Sequence, residues 1–242
     1  MKQYSKEYKR TKYTSRQRRR MWGYLRPKEI PIVDNALKNK PRDRVLFKLM
    51  YRCGLRVGEV VGEEYEYKVG PKKDIEAHSV LPGIMTDDID FGGKAINING
   101  KGDLKRIVPI PDDVFGDVMY YLHDYRRWGN KNEQLIVRYK DDQPMTTANV
   151  RKIWTSLKNR MGLRKDIRVH DLRHTYAMEY LRAGGDPRDL MNLLGHSSLD
   201  ITMMYVQRME EESNVKARLI MKKMGENIND DTEKEFELSR GS

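Results

Sequence analysis

Four separated stretches of this chain carry side chains suited to attack on a phosphodiester. They are Gly54-Leu55-Arg56, Gly100-Lys101-Gly102, His170-Asp171-Leu172-Arg173, and Leu194-Gly195-His196 followed by Tyr205. Breaking a phosphodiester with a protein nucleophile sets four requirements. Charge on the phosphate oxygens must be neutralised, a nucleophile must lie in line, its proton must leave, and the departing oxygen must gain one. Positioning and electrostatics supply most of the rate in such transfers. A guanidinium presents a planar fork to phosphate oxygens and keeps its charge at every relevant pH, so Arg56 and Arg173 suit the first requirement. His170 and Arg173 stand three residues apart, the spacing that puts two side chains on one face of a helix. Tyr205 can attack, but a phenol titrating near 10 needs a base and a strong local field at neutral pH.

His196 and Tyr205 are nine residues apart. In one unbroken helix, nine steps of about 100° would place them on opposite faces, roughly 13 Å apart along the axis. They can meet only if the chain bends between them, and Gly195-His196-Ser197-Ser198 supplies a bend ahead of a helix start.

This ordered set resembles the active site of the tyrosine recombinase (lambda-integrase-like) family, which consists of an Arg, a Lys, an H-x-x-R pair, a second His and a Tyr. The resemblance spans about Tyr24 to Met224 and implies roles residue by residue. Arg56 and Arg173 would hold the phosphate, His170 would assist deprotonation of the nucleophile Tyr205, and His196 would hydrogen-bond a non-bridging oxygen. Lys101 would protonate the leaving 5′ oxygen, because the family's lysine sits in a similar G-K-G turn; Lys105, in the same turn, is the alternative. Glu59 resembles an acidic residue common in the family, and its expected role is to orient Arg56. His174 is expected to pack or hydrogen-bond behind the site, while His78 and His123 belong to no constellation. The implied activity is site-specific cutting and rejoining of double-stranded DNA through a 3′-phosphotyrosyl link, with no ATP, metal or other cofactor. Rivals are a type IB topoisomerase-like relaxation activity and a DNA-binding accessory protein that keeps the fold. By the same resemblance the protein would be a monomer in solution and a homo-tetramer on DNA, with its C-terminal helix (Val215 to Met224) docked on a neighbouring protomer.

Composition points the same way. The formal net charge is +11. Residues 1–20 hold nine Lys and Arg against Glu7 alone, a net +8, and Arg16, Arg18, Arg19 and Arg20 form its densest run. Tyr4, Tyr8 and Tyr13 are interleaved with these charges. Such an arm is a footprint of polyanion binding through counterion release. No apolar run reaches membrane-spanning length, and the charged N-terminus lacks the pattern of a secretory signal. The single cysteine, Cys53, excludes an internal disulfide and a Cys-rich zinc site. A cytoplasmic protein, in the nucleoid or a host cytoplasm, is expected.

The elements that must position these residues can be read coarsely. Residues 1–23 read as a basic, disordered DNA-binding arm. Ile32, Val33, Ala36 and Leu37 predict one helix, with Pro31 in its first turn, and Arg42 to Arg52 a second, ended by Gly54. Glu63 to Met85, with Gly70-Pro71 and Pro82-Gly83, reads as a long loop or loosely structured insertion. Ile89, the alternation Ala95–Asn99 and the run Arg106–Ile110 predict a small three-stranded antiparallel sheet. Beyond Asp112 helices are expected at Val114–Arg127, Thr147–Met161 and His170–Arg182, then from Pro187 to Leu194. A further helix carries Tyr205, started by a Ser197-x-x-Asp200 capping box, and Val215–Met224 forms a last one. The fold class is α+β, mostly α-helical, that of a tyrosine-recombinase catalytic domain over residues 24–224, followed by an acidic tail at 225–242. Most family members carry a separate helical DNA-clamping domain before this point. Here only the basic arm stands there, so either the arm does part of that work or the chain is a fragment.

Overall fold

The computed structural model describes residues 23–69, 75–100, 104–126 and 133–240, with side chains except those of 65–79 and 225–240. They form two compact units. One takes the described residues up to Ala177 together with Leu193–Gly195; the other takes Met178–Asn192 and the residues from His196 onward.

In the first unit, α1 (Ile30–Leu37) begins with Pro31 in its first turn, where a missing N–H costs nothing, and buries Val33 and Leu37. The central element is α2 (Pro41–Tyr51), buried on nearly every side, with Val45, Leu46, Phe47, Leu49 and Met50 wholly inside. Phe47 packs on Trp154 with ring centroids 5.3 Å apart. After α2 the chain turns at Gly54, whose φ of +72° a side chain would resist. A Cβ there would also meet Tyr176 at 2.4 Å and Leu194 at 2.8 Å. That close passage delivers Leu55-Arg56 into the short helix α3 (Val57–Val61).

The segment expected to be a loose loop is instead a hairpin. β1 (Glu63–Val69) pairs antiparallel with β2 (Ile75–Leu81) in unbroken register from Glu63 opposite Leu81 to Val69 opposite Ile75. Alternation at Tyr65, Tyr67 and Val69 carries the period of a strand. The three-stranded sheet matches expectation: β3 (Ile89–Asp90), β4 (Ala95–Asn99) and β5 (Lys105–Pro109) are antiparallel in that order. Ile96, Ile98 and Val108 face the core, while Asn97, Asn99 and Ile107 face out. Ile98 lies opposite Arg106.

α4 (Asp112–Tyr120) is shorter than predicted, because the chain widens into a π turn at Tyr121–Tyr125, closed by the Arg126 N–H on the Tyr121 carbonyl at 2.9 Å. Lys48 of α2, itself buried, reaches Asp113 at 2.9 Å and Asp117 at 2.8 Å and ties the two helices together. α5 (Thr147–Arg160) buries Val150, Trp154 and Leu157 and is capped by Thr146. α6 (Asp171–Arg182) begins one residue later than expected, so His170 occupies the turn ahead of it.

In the second unit, α7 (Pro187–Leu194) opens with Asp186 accepting the Arg188 N–H at 2.7 Å. α8 (Leu199–Arg240) is one helix of 42 residues. This corrects two expectations. Val215–Met224 is not a separate helix, and the acidic stretch after it stays helical to Arg240. The cap differs as well: Ser198, rather than Ser197, accepts the Asp200 N–H at 3.1 Å. The Arg182 and Arg208 guanidiniums close on Glu212 at 2.9 and 3.1 Å, pinning the end of α6 to α8.

Candidate active site

The first unit gathers Arg56, Arg173 and Arg106 around one carboxylate, Glu59. Arg56 is the residue before α3, and Glu59 is the third residue of that helix. From there the Glu59 carboxylate reaches back to accept the Arg56 backbone N–H at 2.8 Å, half of a capping box. It also takes Arg56 Nη1 at 2.9 Å. Glu59 therefore orients Arg56, as its sequence position suggested, but it holds more. Arg106 grips both carboxylate oxygens, at 3.0 and 2.8 Å, in the forked geometry that suits a guanidinium. Arg173 Nη1 stands 3.7 Å away. Glu59 is 2 % exposed. Burial works against its ionisation, yet the hydrogen bonds and charge of Arg106, followed by the charges of Arg173 and Arg56, prevail and hold its carboxyl down at about 2.

Arg173 is equally enclosed, at 2 % exposure. It donates to the Gly54 carbonyl at 2.8 Å and to the Leu194 carbonyl. Those carbonyls lie two residues before Arg56 and two before His196, so one guanidinium fixes the backbone leading into both. Arg56 is about one-third exposed along its side chain, the most open of the three arginines.

His170 is exposed to solvent, yet its ring is partly desolvated by the protein around it. That partial desolvation first, and then the neighbouring Arg173 charge, pull its pKa below the ordinary value, so the ring is neutral at pH 7. His174 meets His170 edge-on with centroids 4.8 Å apart and stands 4.0 Å from the buried Asp171, which places it behind His170. Asp171 in turn accepts the Arg168 N–H at 2.7 Å and shapes the turn that presents His170.

The expected bend ahead of the helix that carries Tyr205 is present. Gly195, with φ +60°, ends α7, and α8 starts at Leu199. The His196 and Tyr205 rings stack nearly parallel, 9° apart with centroids at 6.3 Å. His196 Nδ1 shares a 2.8 Å hydrogen bond with Thr202 Oγ1, and the His196 backbone N–H donates to the Met191 carbonyl at 3.0 Å. Tyr205 is buried, at 4 % exposure.

Lys101 and Arg16, Arg18, Arg19 and Arg20 lie outside the described residues. The alternative lysine, Lys105, heads β5 opposite Asn99 and is exposed. Sequence reasoning missed Arg106 and Thr202. Arg106 is in phase with the buried Val108 along β5, an inward position at which a cation must find an anion. Thr202 carried no signal of its own. Among the described residues, no cluster of three or more His, Cys, Asp or Glu could hold a metal ion. No helix among them is long and apolar enough to cross a membrane.

Residues 79–212 match the phage integrase family. Tyrosine recombinase XerC of Listeria monocytogenes serovar 1/2a is 32 % identical over 174 residues, which cover 70 % of this chain and 51 % of that protein. The chain thus spans about half the length of the curated relatives it matches. The XerA recombinase structure superposes with a TM-score of 0.64 at 25 % identity, over 80 % of this chain and 65 % of that one. XerH recombinase, solved on its difH substrate before cleavage, shares the fold with a TM-score of 0.59 at 23 % identity, over 78 % of this chain and 52 % of that one. A match over more than half of the chain, on the mixed helical fold that carries the arginine cluster and the His196–Tyr205 pair, makes this protein a member of the phage integrase family of tyrosine recombinases.

Proposed function

We propose that this chain carries the catalytic domain of a site-specific DNA recombinase that works through a 3′-phosphotyrosyl intermediate. The observation that carries the reading is the cluster in which Arg56 and Arg173 are held by fixed bonds around Glu59, in a family member whose Tyr205 stacks on His196. Pre-set guanidiniums stabilise the charge of a pentavalent phosphate without reorganising at the moment of reaction.

The step runs as follows. Arg56 and Arg173 take the non-bridging oxygens of one phosphodiester. Tyr205 Oη attacks phosphorus as its proton passes to the neutral His170. With Nδ1 engaged by Thr202, His196 uses Nε2 toward a non-bridging oxygen. The bond from phosphorus to the 5′ oxygen breaks, and Lys101 gives that oxygen its proton. The products are a 3′-phosphotyrosyl ester and a 5′ hydroxyl. The ester keeps the bond energy, so a 5′ hydroxyl from a second duplex can reverse the step and exchange strands without ATP, and the same residues serve in the opposite direction.

Residues 24–224 form the catalytic domain in this reading, residues 1–23 a DNA-binding arm and residues 225–242 an acidic tail. The partner is double-stranded DNA, on which four copies of a cytoplasmic monomer assemble. The part of α8 from Val215 to Met224, with Val215, Leu219, Ile220, Met221 and Met224 exposed, is the element that docks on a neighbouring copy.

The test is covalent trapping. The chain is mixed in EDTA with a pool of nicked duplexes bearing a randomised core, quenched with detergent, and the protein-linked DNA is recovered and sequenced. An adduct that Tyr205→Phe abolishes, with duplex binding unchanged, supports the reading and reveals the site. Adducts that persist in Tyr205→Phe, or none from the unaltered chain, overturn it.

A further inference from the structure

Arg106 has no part in the ordered set that the sequence displays, yet it is bonded into the arginine cluster on two sides. Its fork takes both oxygens of Glu59, and its Nε donates to the Leu193 carbonyl at 2.8 Å. Two glycines press against it. A Cβ on Gly100 would come within 3.3 Å of Arg106 Nη1, and one on Gly195 within 3.2 Å of the same atom. One side chain thus joins three strands of backbone: α3, which Arg56 precedes; the end of α7, which leads to His196; and the β4–β5 hairpin. The Gly100 N–H donates to the Leu104 carbonyl at 2.9 Å at the end of that hairpin.

The charges give the arrangement a further meaning. Three guanidiniums surround one buried carboxylate, so the cluster has an excess of positive charge to offer a phosphate. Which guanidinium the carboxylate claims decides where that excess points. As built, Glu59 spends its strongest geometry on Arg106, keeps one side-chain bond to Arg56, and leaves Arg173 beyond hydrogen-bond range at 3.7 Å. A buried carboxylate stripped of Arg106 would need new donors, and Arg173 and Arg56 are the cations at hand.

We propose that Arg106 is a positioning residue of the cleavage reaction: it occupies Glu59 so that Arg56 and Arg173 remain aimed at the phosphate. It touches no substrate and acts through Glu59. The proposal rests on the cleavage reading above, and its test separates the two.

A duplex recovered from the trapping pool is used with the full chain, and single-turnover adduct formation is measured beside duplex affinity. Arg106→Gln, Glu59→Gln, the double variant and Arg106→Lys are compared at equal folded fraction, checked by circular dichroism. Arg106→Gln is expected to slow adduct formation about 100-fold, the usual cost of misaligning a charge-stabilising group, with affinity within about threefold. Adding Glu59→Gln removes the carboxylate that captures the catalytic arginines, so the double variant should recover at least about tenfold over Arg106→Gln. Arg106→Lys, which keeps the charge and loses the fork, should fall between. A purely architectural arginine predicts the opposite for the double variant, since two losses from one buried cluster cannot restore rate. If Arg106→Gln does not fold, Arg106→Lys with and without Glu59→Gln makes the same comparison. Rapid cleavage by Arg106→Gln, or a double variant no faster than the single, overturns this proposal while the cleavage reading stands. Absence of any adduct from the unaltered chain overturns both.

Discussion

Replacing Glu59 by Gln changes one oxygen to an amide nitrogen and leaves shape and burial nearly unaltered, so it isolates the charge. In the folded protein Glu59 accepts from the Arg56 backbone, the Arg56 side chain and both ends of the Arg106 fork. An amide keeps one acceptor and points an N–H2 at guanidiniums that need acceptors. The size of the effect can be worked two ways. The Glu59 carboxyl lies at about 2 against an ordinary 4.5, a gap that corresponds to roughly 3 kcal/mol of preference for the ionised form in the fold. Independently, removing one partner of a buried ion pair costs about 3–5 kcal/mol. Both routes give a loss near 3 kcal/mol, which for a chain of this length lowers the melting temperature by about 6–12 °C. The pH dependence carries a sign that a packing defect would not. Because the folded carboxyl ionises below its unfolded value, its contribution is whole well above pH 4.5 and is lost as pH falls toward 2. Roughly 1 kcal/mol has gone by pH 4 and roughly 2 kcal/mol by pH 3. Urea unfolding of both proteins at pH 7, 4 and 3 measures this directly. A Glu59→Gln variant within about 1 kcal/mol of the unaltered chain at pH 7, or a gap that fails to narrow toward pH 3, would show that the carboxylate is not the electrostatic centre of the cluster.

Other expectations follow from the same geometry. His170 is pulled below its ordinary 6.5, so the acid limb of the kcat/KM profile for adduct formation should lie below pH 6.5 and vanish in His170→Gln; a limb at or above pH 7 would remove His170 as the base. Thr202→Val removes the hydroxyl at His196 Nδ1 with little change in volume, and should cut single-turnover cleavage about tenfold or more at a cost in stability near 1 kcal/mol; an unchanged rate would mean that the ring is held by other contacts. Deleting the chain from Val215 onward should leave cleavage measurable and weaken assembly on DNA, and unchanged sedimentation of the complex would refute a docking role for that stretch of α8.

The parts of the site legible in the sequence and those that were not differ in a physical way. Arg56 and His196 each closely follow a glycine that bends the chain: Gly54 at φ +72° and Gly195 at +60°. A chemically loaded residue next to a forced turn can be read locally, because the turn lifts it out of the regular period. The three strands at 89–109 were readable for a similar reason, being a local pattern with one structural solution. The hairpin at 63–81 was missed because Gly70-Pro71 between its two strands in the sequence and Pro82-Gly83 after them outweighed a period-two alternation inside it. The single helix from Leu199 to Arg240 was divided because its distal face is exposed from Val215 to Met224, and a helix that buries nothing prints no burial period. Its real signature was negative: no proline occurs in all 42 residues.

Arg106 and Thr202 were invisible for a deeper reason. Both sit inside regular elements, Arg106 in mid-strand and Thr202 in the first turn of a helix, where position along the chain reports only which face a side chain takes. Arg106 shares its face with Val108, so an inward arginine could have been inferred from β5 alone. Its partner could not, since Glu59 lies 47 residues earlier and only the folded chain brings them together. Residues that touch the phosphate must be particular types in a particular order, whereas a residue that holds them needs only a long-range counter-charge. The supporting shell of an active site is therefore where a sequence is least explicit, and where substitutions designed from a motif alone would leave the control of Arg56 and Arg173 untouched.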